Sequence, residues 1–166
     1  MAALYQKLVR LLHGCSKRYS NVVPLIEKSN VLLAALGDYG LIEYATGEKN
    51  NPDILRYFHE IGQTWVQTDE TAWCSAFVNY FCKHTGREYS GMLNARSWLD
   101  VGYHVKKPEL GDVVVLWREH PESWKGHVGF FIAHRGRQIY MLGGNQNNSV
   151  CIQPFPEHRL LDYRRV

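Results

Sequence analysis

The hydrophobic pattern of this chain changes period once, near Trp98, and that change limits the fold more than any other feature. Upstream, apolar residues recur at helical spacing: Leu25, Leu32, Leu33 and Leu36, then Ile54, Phe58 and Ile61, then Cys74, Phe77, Val78, Phe81 and Cys82. Downstream, short β-branched or aromatic runs at 112–118, 127–134, 138–142 and 149–153 are separated by Gly, Pro, Asn and charged turns. Helices first and strands second predict an α+β fold with an antiparallel sheet.

Local signals set the helix limits. Pro24 in a first turn and Gly37 just past an end bracket one helix. After the turn-rich segment 46–51, Asn51 as cap, Pro52 at the first position and Gly62 as stop bracket the next. The helix that carries Cys74 runs from about Ala72 to His84. Leu4, Leu8, Leu11 and Leu12, followed by Gly14, predict a short amphipathic helix that packs on the domain. Residues 1–20 are therefore read as a helical extension and 21–166 as a single catalytic domain. A chain of 166 residues is long enough to bury its own core without disulfides or metals.

Cys74 falls in the first turn of its helix, where unpaired backbone N–H groups and the helix dipole favour a thiolate. A carboxylate one turn below would oppose that, so the regular helix is expected to start near Ala72 with Glu70 turned away. His127 lies in Gly126-His127-Val128-Gly129 on a strand apolar on both faces, and the glycines leave room for its ring. Strict alternation puts His127, Gly129, Phe131 and Ala133 on one face and His134 on the other, solvated beside the Arg135-Gly136-Arg137 turn. Cleaving an amide requires a nucleophile, an acid for the departing amine and donors for the oxyanion. Cys74 can attack, His127 can move the proton, and the backbone N–H of Cys74 can meet the oxyanion. Asn145, in Gly143-Gly144-Asn145-Gln146, is the first choice to orient the imidazole. Gln146 is its rival, because a period of two lets only one of them face the histidine. The segment can also be read as a turn in which asparagine supplies left-handed backbone angles. Around this centre Trp73, Ser97 and Trp98 are candidates for a cleft wall, Asp69 for a contact to a substrate amine or amide, and Gln146 for a substrate contact if Asn145 takes the orienting role.

These residues resemble the CHAP family, the cysteine- and histidine-dependent amidohydrolases and peptidases of the papain-like superfamily that also holds the NlpC-type enzymes. The resemblance runs from about Ala35 onward through Gly40-Leu41-Ile42-Glu43, Asn50-Asn51-Pro52-Asp53-Ile54-Leu55, Asp69-Glu70-Thr71-Ala72-Trp73-Cys74, Ala95-Arg96-Ser97-Trp98-Leu99, Gly111-Asp112-Val113-Val114-Val115-Leu116 and Leu142-Gly143-Gly144-Asn145-Gln146. It implies a papain-like fold in which the nucleophile helix packs on a C-terminal antiparallel sheet. It also implies a cysteine hydrolase, free of cofactors, that cuts an amide bond of peptidoglycan as an endopeptidase or N-acetylmuramoyl-L-alanine amidase. Phage lysins and secreted cell-wall toxins are the corresponding biological roles. The alternatives on the same scaffold are a protein-directed thiol protease, deamidase or acyltransferase effector, and a catalytically silent binding module.

Composition narrows the partners. A net charge of +3 without a basic run argues against nucleic acid. The four cysteines fit no zinc-ribbon or disulfide spacing, and the eight histidines show no paired ligand spacing, so no metal is expected. Cys82 and Cys151 read as small buried hydrophobes. Gln6, Lys7 and Arg10 interrupt the apolar start, so a signal peptide is not expected, and no window is long and apolar enough for a membrane span. The expectation is a monomer made in the cytoplasm that acts on peptidoglycan stem peptides at the cell wall or periplasm. Delivery would then need a holin or secretion partner, and a toxin would need an immunity partner.

Overall fold

The computed structural model describes residues 30–44 and 49–166. The expected helix over 4–12, Cys15 and the start of the Pro24 helix lie outside the described residues. Within them the chain is α+β. Helices α1 (Asn30–Leu36), α2 (Pro52–Glu60) and α3 (Cys74–His84) come first, and a 3-10 helix over Ala95–Asp100 follows. Six strands then form one sheet: β1 (Tyr103–His104), β2 (Val113–Trp117), β3 (Gly126–Arg135), β4 (Gln138–Gly143), β5 (Cys151–Pro156) and β6 (Leu160–Arg165). Their spatial order is β1-β6-β2-β3-β4-β5, with every neighbouring pair antiparallel.

The predicted boundaries of α2 hold for the predicted reasons. Asn51 caps it by accepting from Asp53 N–H at 2.9 Å, Pro52 opens it, and Ile54, Tyr57 and Phe58 are buried along one stripe. Ile61 closes the helix, and Gly62 leaves it at φ +87, a conformation that costs a residue with a Cβ. α3 begins at Cys74, slightly later than expected, and Glu70 is exposed in the turn before it.

The helices cover one face of the sheet. Val113, Val115, Val128, Phe130 and Leu142 on that face join Phe77, Val78, Phe81 and the buried residues of α1 and α2 in one core, with the Phe77 and Phe130 rings 6.2 Å apart. The other face carries a smaller cluster of Val114, Leu116, Phe131, Ile139, Met141 and Tyr163. A bulge in β3 between Phe131 and Ala133 breaks the alternation expected for that strand. Beyond it the parity inverts: His134 is exposed as expected, but it joins the face of Phe131, 5.4 Å between rings, and its Nε2 meets the Tyr163 hydroxyl at 2.6 Å.

Candidate active site

The site forms where the start of α3 meets the β3–β4 end of the sheet. Trp73 occupies the N-cap position of α3 and supplies no side-chain cap, so the first amides of the helix remain available. Backbone hydrogen bonding from Val128, Ser75 and Cys74 itself favours the ionised form of the Cys74 thiol. Because the Val128 N–H belongs to the peptide linking His127 to Val128, the thiol is held against the backbone of the predicted base. Both side chains are buried.

The imidazole is oriented by Gln146, not Asn145. His127 Nε2 lies 3.0 Å from Gln146 Oε1. The other end of that carboxamide donates from Nε2 to the Cys151 carbonyl at 2.5 Å, which leaves Oε1 as the acceptor facing the ring. His127 therefore carries its proton on Nε2 and presents the Nδ1 lone pair. Asn145 turns the other way and donates from Nδ2 to Glu43 Oε1 at 2.7 Å. The reason is local: Asn145, Asn147 and Asn148 have φ of 55, 50 and 55, so the segment is a left-handed turn in which strand alternation does not apply. A Cβ at Gly143 would lie 2.7 Å from Gln146 Oε1, so a side chain there would push the amide away from the imidazole. Cys151, expected as a buried hydrophobe, is half-buried and anchors Gln146 through its carbonyl.

Burial sets the protonation of both groups. Burial pulls the His127 imidazole down to about 4; repulsion from Arg118 and Arg159 acts in the same direction, and the Gln146 hydrogen bond opposes it. Burial also pushes the Cys74 thiol up, against the three amides and the Arg118 charge. The expectation of a helix-stabilised thiolate is corrected on this point: the amides are in place, but desolvation outweighs them.

The predicted substrate contacts resolve differently. Trp73 is fully buried, and its indole N–H donates to Glu43 Oε1 at 2.6 Å. Trp98 is also fully buried and donates to Ser75 Oγ at 3.0 Å. That hydroxyl in turn donates to the Met92 carbonyl at 2.7 Å and accepts from Asn79 Nδ2 at 3.1 Å, which locks the first turn of α3. Both tryptophans are core supports of α3 and not cleft walls. Ser97 is half-buried and spends its hydroxyl on the Asn94 carbonyl at 2.7 Å. Asp69 is buried, and its carboxylate accepts from the N–H groups of Asn51 at 2.8 Å and Tyr44 at 3.3 Å, so it ties a loop instead of facing a ligand. Sequence reasoning did not single out Glu43, whose one oxygen joins the residue before Cys74 to the residue before Gln146. Nothing in its local sequence marks that contact, because the partners lie far along the chain.

Gly144 packs directly on the residues that begin α3. A Cβ there would lie 2.3 Å from Cζ3 of the buried Trp73 ring and 2.8 Å from the Phe77 Cβ. Gly144→Ala is therefore expected to destabilise the fold by about 1–3 kcal/mol, measured as a lower urea midpoint at unchanged slope.

Among the described residues, no group of His, Cys, Asp or Glu side chains is arranged as metal ligands, and no helix is long and apolar enough to cross a membrane. No family model and no curated protein matches the sequence.

Proposed function

We propose that the chain is a papain-like cysteine hydrolase of the CHAP type that cleaves an amide bond in peptidoglycan stem peptides. The observation that carries the hydrolase reading is the polarised relay Gln146 Oε1···His127 Nε2, with the Cys74 sulfur held against the His127–Val128 peptide at a helix start. The choice of peptidoglycan rests on the sequence blocks that resemble the CHAP family. Phage lysins and secreted cell-wall toxins are the two roles that fit such an enzyme.

In the proposed cycle the Cys74 sulfur attacks the amide carbonyl carbon while its proton passes to Nδ1 of His127. Because the thiol is raised and the imidazole lowered, proton transfer accompanies C–S bond formation instead of preceding it. The N–H groups of Cys74 and Ser75, in the first turn of α3, receive the oxyanion in this cycle. The imidazolium then gives its proton to the departing amine, and water, deprotonated by the same nitrogen, hydrolyses the thioester. Gln146 keeps the ring in the tautomer that this sequence needs.

The test is digestion of purified sacculi with the products read by mass spectrometry. Soluble fragments carrying one new amine and one new carboxylate support the proposal and identify the bond. Intact sacculi alongside cleavage of a protein substrate would move the reading to a protein-directed thiol effector. Gln146→Ala is expected to lower kcat by about 10- to 100-fold, since an orienting residue contributes less than the pair it serves, and Asn145→Ala by less. A larger loss at Asn145 than at Gln146 would reverse the assignment of the orienting amide.

A further inference from the structure

The start of α3 and the turn that carries Gln146 are joined by one carboxylate. Glu43 Oε1 accepts the indole N–H of Trp73 at 2.6 Å and an Nδ2 proton of Asn145 at 2.7 Å, so a single oxygen links the residues that directly precede Cys74 and Gln146. Trp73 is fully buried, and Glu43 and Asn145 are half-buried. The two stretches also meet where the Trp73 ring packs on Gly144, but dispersion contact has little directional preference and lets surfaces slide. Hydrogen bonds to a carboxylate are stronger than those to a neutral acceptor and fix an orientation.

Glu43 is itself held from two directions. Gly40 N–H donates to the Val150 carbonyl at 2.9 Å, Val150 N–H to that of Leu41 at 2.8 Å and Glu43 N–H to that of Asn148 at 2.9 Å, so residues 40–43 run antiparallel to the far limb of the turn. On the opposite side Asn51 Nδ2 donates to the Ile42 carbonyl at 2.7 Å, and Asp69 accepts the N–H groups of Asn51 and Tyr44. The strut therefore stands on the cap of α2. Among the described residues Glu43 Oε2 has no hydrogen-bond partner, so both donors are aligned by the one oxygen. Gln146 sits inside the left-handed turn, and a tilt of that turn against α3 would move Gln146 Oε1 from its 3.0 Å contact with His127 Nε2.

We propose that Glu43 is a positioning residue, whose carboxylate holds the orienting amide of Gln146 in register with the start of α3 and thereby holds His127 in register with Cys74. The role rests on the proposed hydrolase reading and extends it to a residue outside the reacting pair. Glu43→Ala is expected to lower kcat on sacculi about 10-fold with KM within about twofold, because the alignment of the reacting groups changes and the binding surface does not. Glu43→Gln keeps an acceptor oxygen for both donors and should recover at least about half of the wild-type kcat. In a Gln146→Ala background Glu43→Ala should cost less than about threefold further, since the amide that it holds is already gone.

A nuclear magnetic resonance measurement reads the same role without any substrate. In protein labelled with 15N-histidine, the His127 Nε2 proton, assigned by its loss in His127→Gln, should exchange with water at least about 10-fold faster in Glu43→Ala than in the wild type. A residue that served stability alone would lower the urea midpoint and leave kcat per folded molecule unchanged. If Glu43→Ala does not fold, Asn145→Gly carries the kinetic and exchange tests, because glycine suits the φ of 55 and removes only the turn's half of the clasp. Unchanged kcat and exchange in the folded variant, equal losses with and without Gln146, or a loss that Glu43→Gln does not recover would each overturn the role. Lysis by the wild type with an unchanged Nε2 proton overturns the positioning role alone, whereas faster exchange in Glu43→Ala without lysis by the wild type overturns the hydrolase alone.

Discussion

Cys74→Ala is expected to reduce release of soluble fragments from sacculi by about 10³-fold or more, and His127→Ala to do the same, because removing either member of a nucleophile–base pair disables both. The structure distinguishes Cys74 from the other described thiols. Cys82 is fully buried in the last turn of α3, and burial pushes its thiol up to about 12, opposed only by the charge of Arg87. Cys151 is half-buried, and its sulfur lies 3.4 Å from the Gln146 carbonyl oxygen. Cys74 alone lies at a helix start, where backbone hydrogen bonding from Val128, Ser75 and its own N–H favours the thiolate. Removing one sulfur at a helix end that Trp73, Ser75 and Trp98 hold independently should cost about 1 kcal/mol or less in stability. Lost lysis with a retained unfolding transition is therefore the expected pair of results. Residual lysis above a few per cent in Cys74→Ala would refute the nucleophile, and unfolding of the variant at room temperature would show that the thiol serves packing.

What could be read from the sequence divides along physical lines. Signals confined to a few neighbouring residues were legible: the Asn51 cap with Pro52, the buried stripe of α3, and the four strands β2 to β5, each within a few residues of its limits. β6 was not, because Leu160–Arg165 reads as Leu-Leu-Asp-Tyr-Arg-Arg, with neither alternation nor a continuous apolar run. Its place between β1 and β2 is set by pairing with partners distant in the chain. Parity arguments failed wherever the backbone left the regular strand. The bulge before Ala133 moved His134 to the other face, and the left-handed turn at 145–148 handed the imidazole to Gln146. The tryptophans and Asp69 were misjudged for a related reason. Composition marks a residue as able to bind a ligand, but only the fold shows that Glu43, Ser75, Asn51 and Tyr44 already occupy those polar atoms.

Acid should destabilise this protein through the same histidine that the proposed chemistry uses. An unfolded imidazole titrates near 6.5, whereas burial keeps the folded His127 neutral down to about 4. Between those values the unfolded chain binds one proton more than the folded chain, so stability rises with pH across the window. The contribution is complete above 6.5 and is lost as the pH falls towards 4, and the gap between the two values is worth about 3 kcal/mol. The shifted carboxylates do not obscure it: Glu119 is lowered by its hydrogen bond from Lys125 but is exposed, so solvent screens its contribution. Although burial raises Asp162, hydrogen bonds from His104 and Arg164 hold it below its ordinary 3.8, so its own loss falls beneath the window. The raised groups Tyr57, Tyr163, Cys74 and Cys82 titrate on the alkaline side. Urea unfolding followed through this range should therefore show the midpoint dropping in the wild type, and dropping less by one proton's linkage in His127→Gln, whatever that change costs at pH 7. Lysis per folded molecule should stay level through 6.5, because the base remains unprotonated there. An identical pH slope in the two proteins would mean that the imidazole is solvated in the native state, and with it would go the neutral thiol–imidazole pair on which the concerted proton transfer depends.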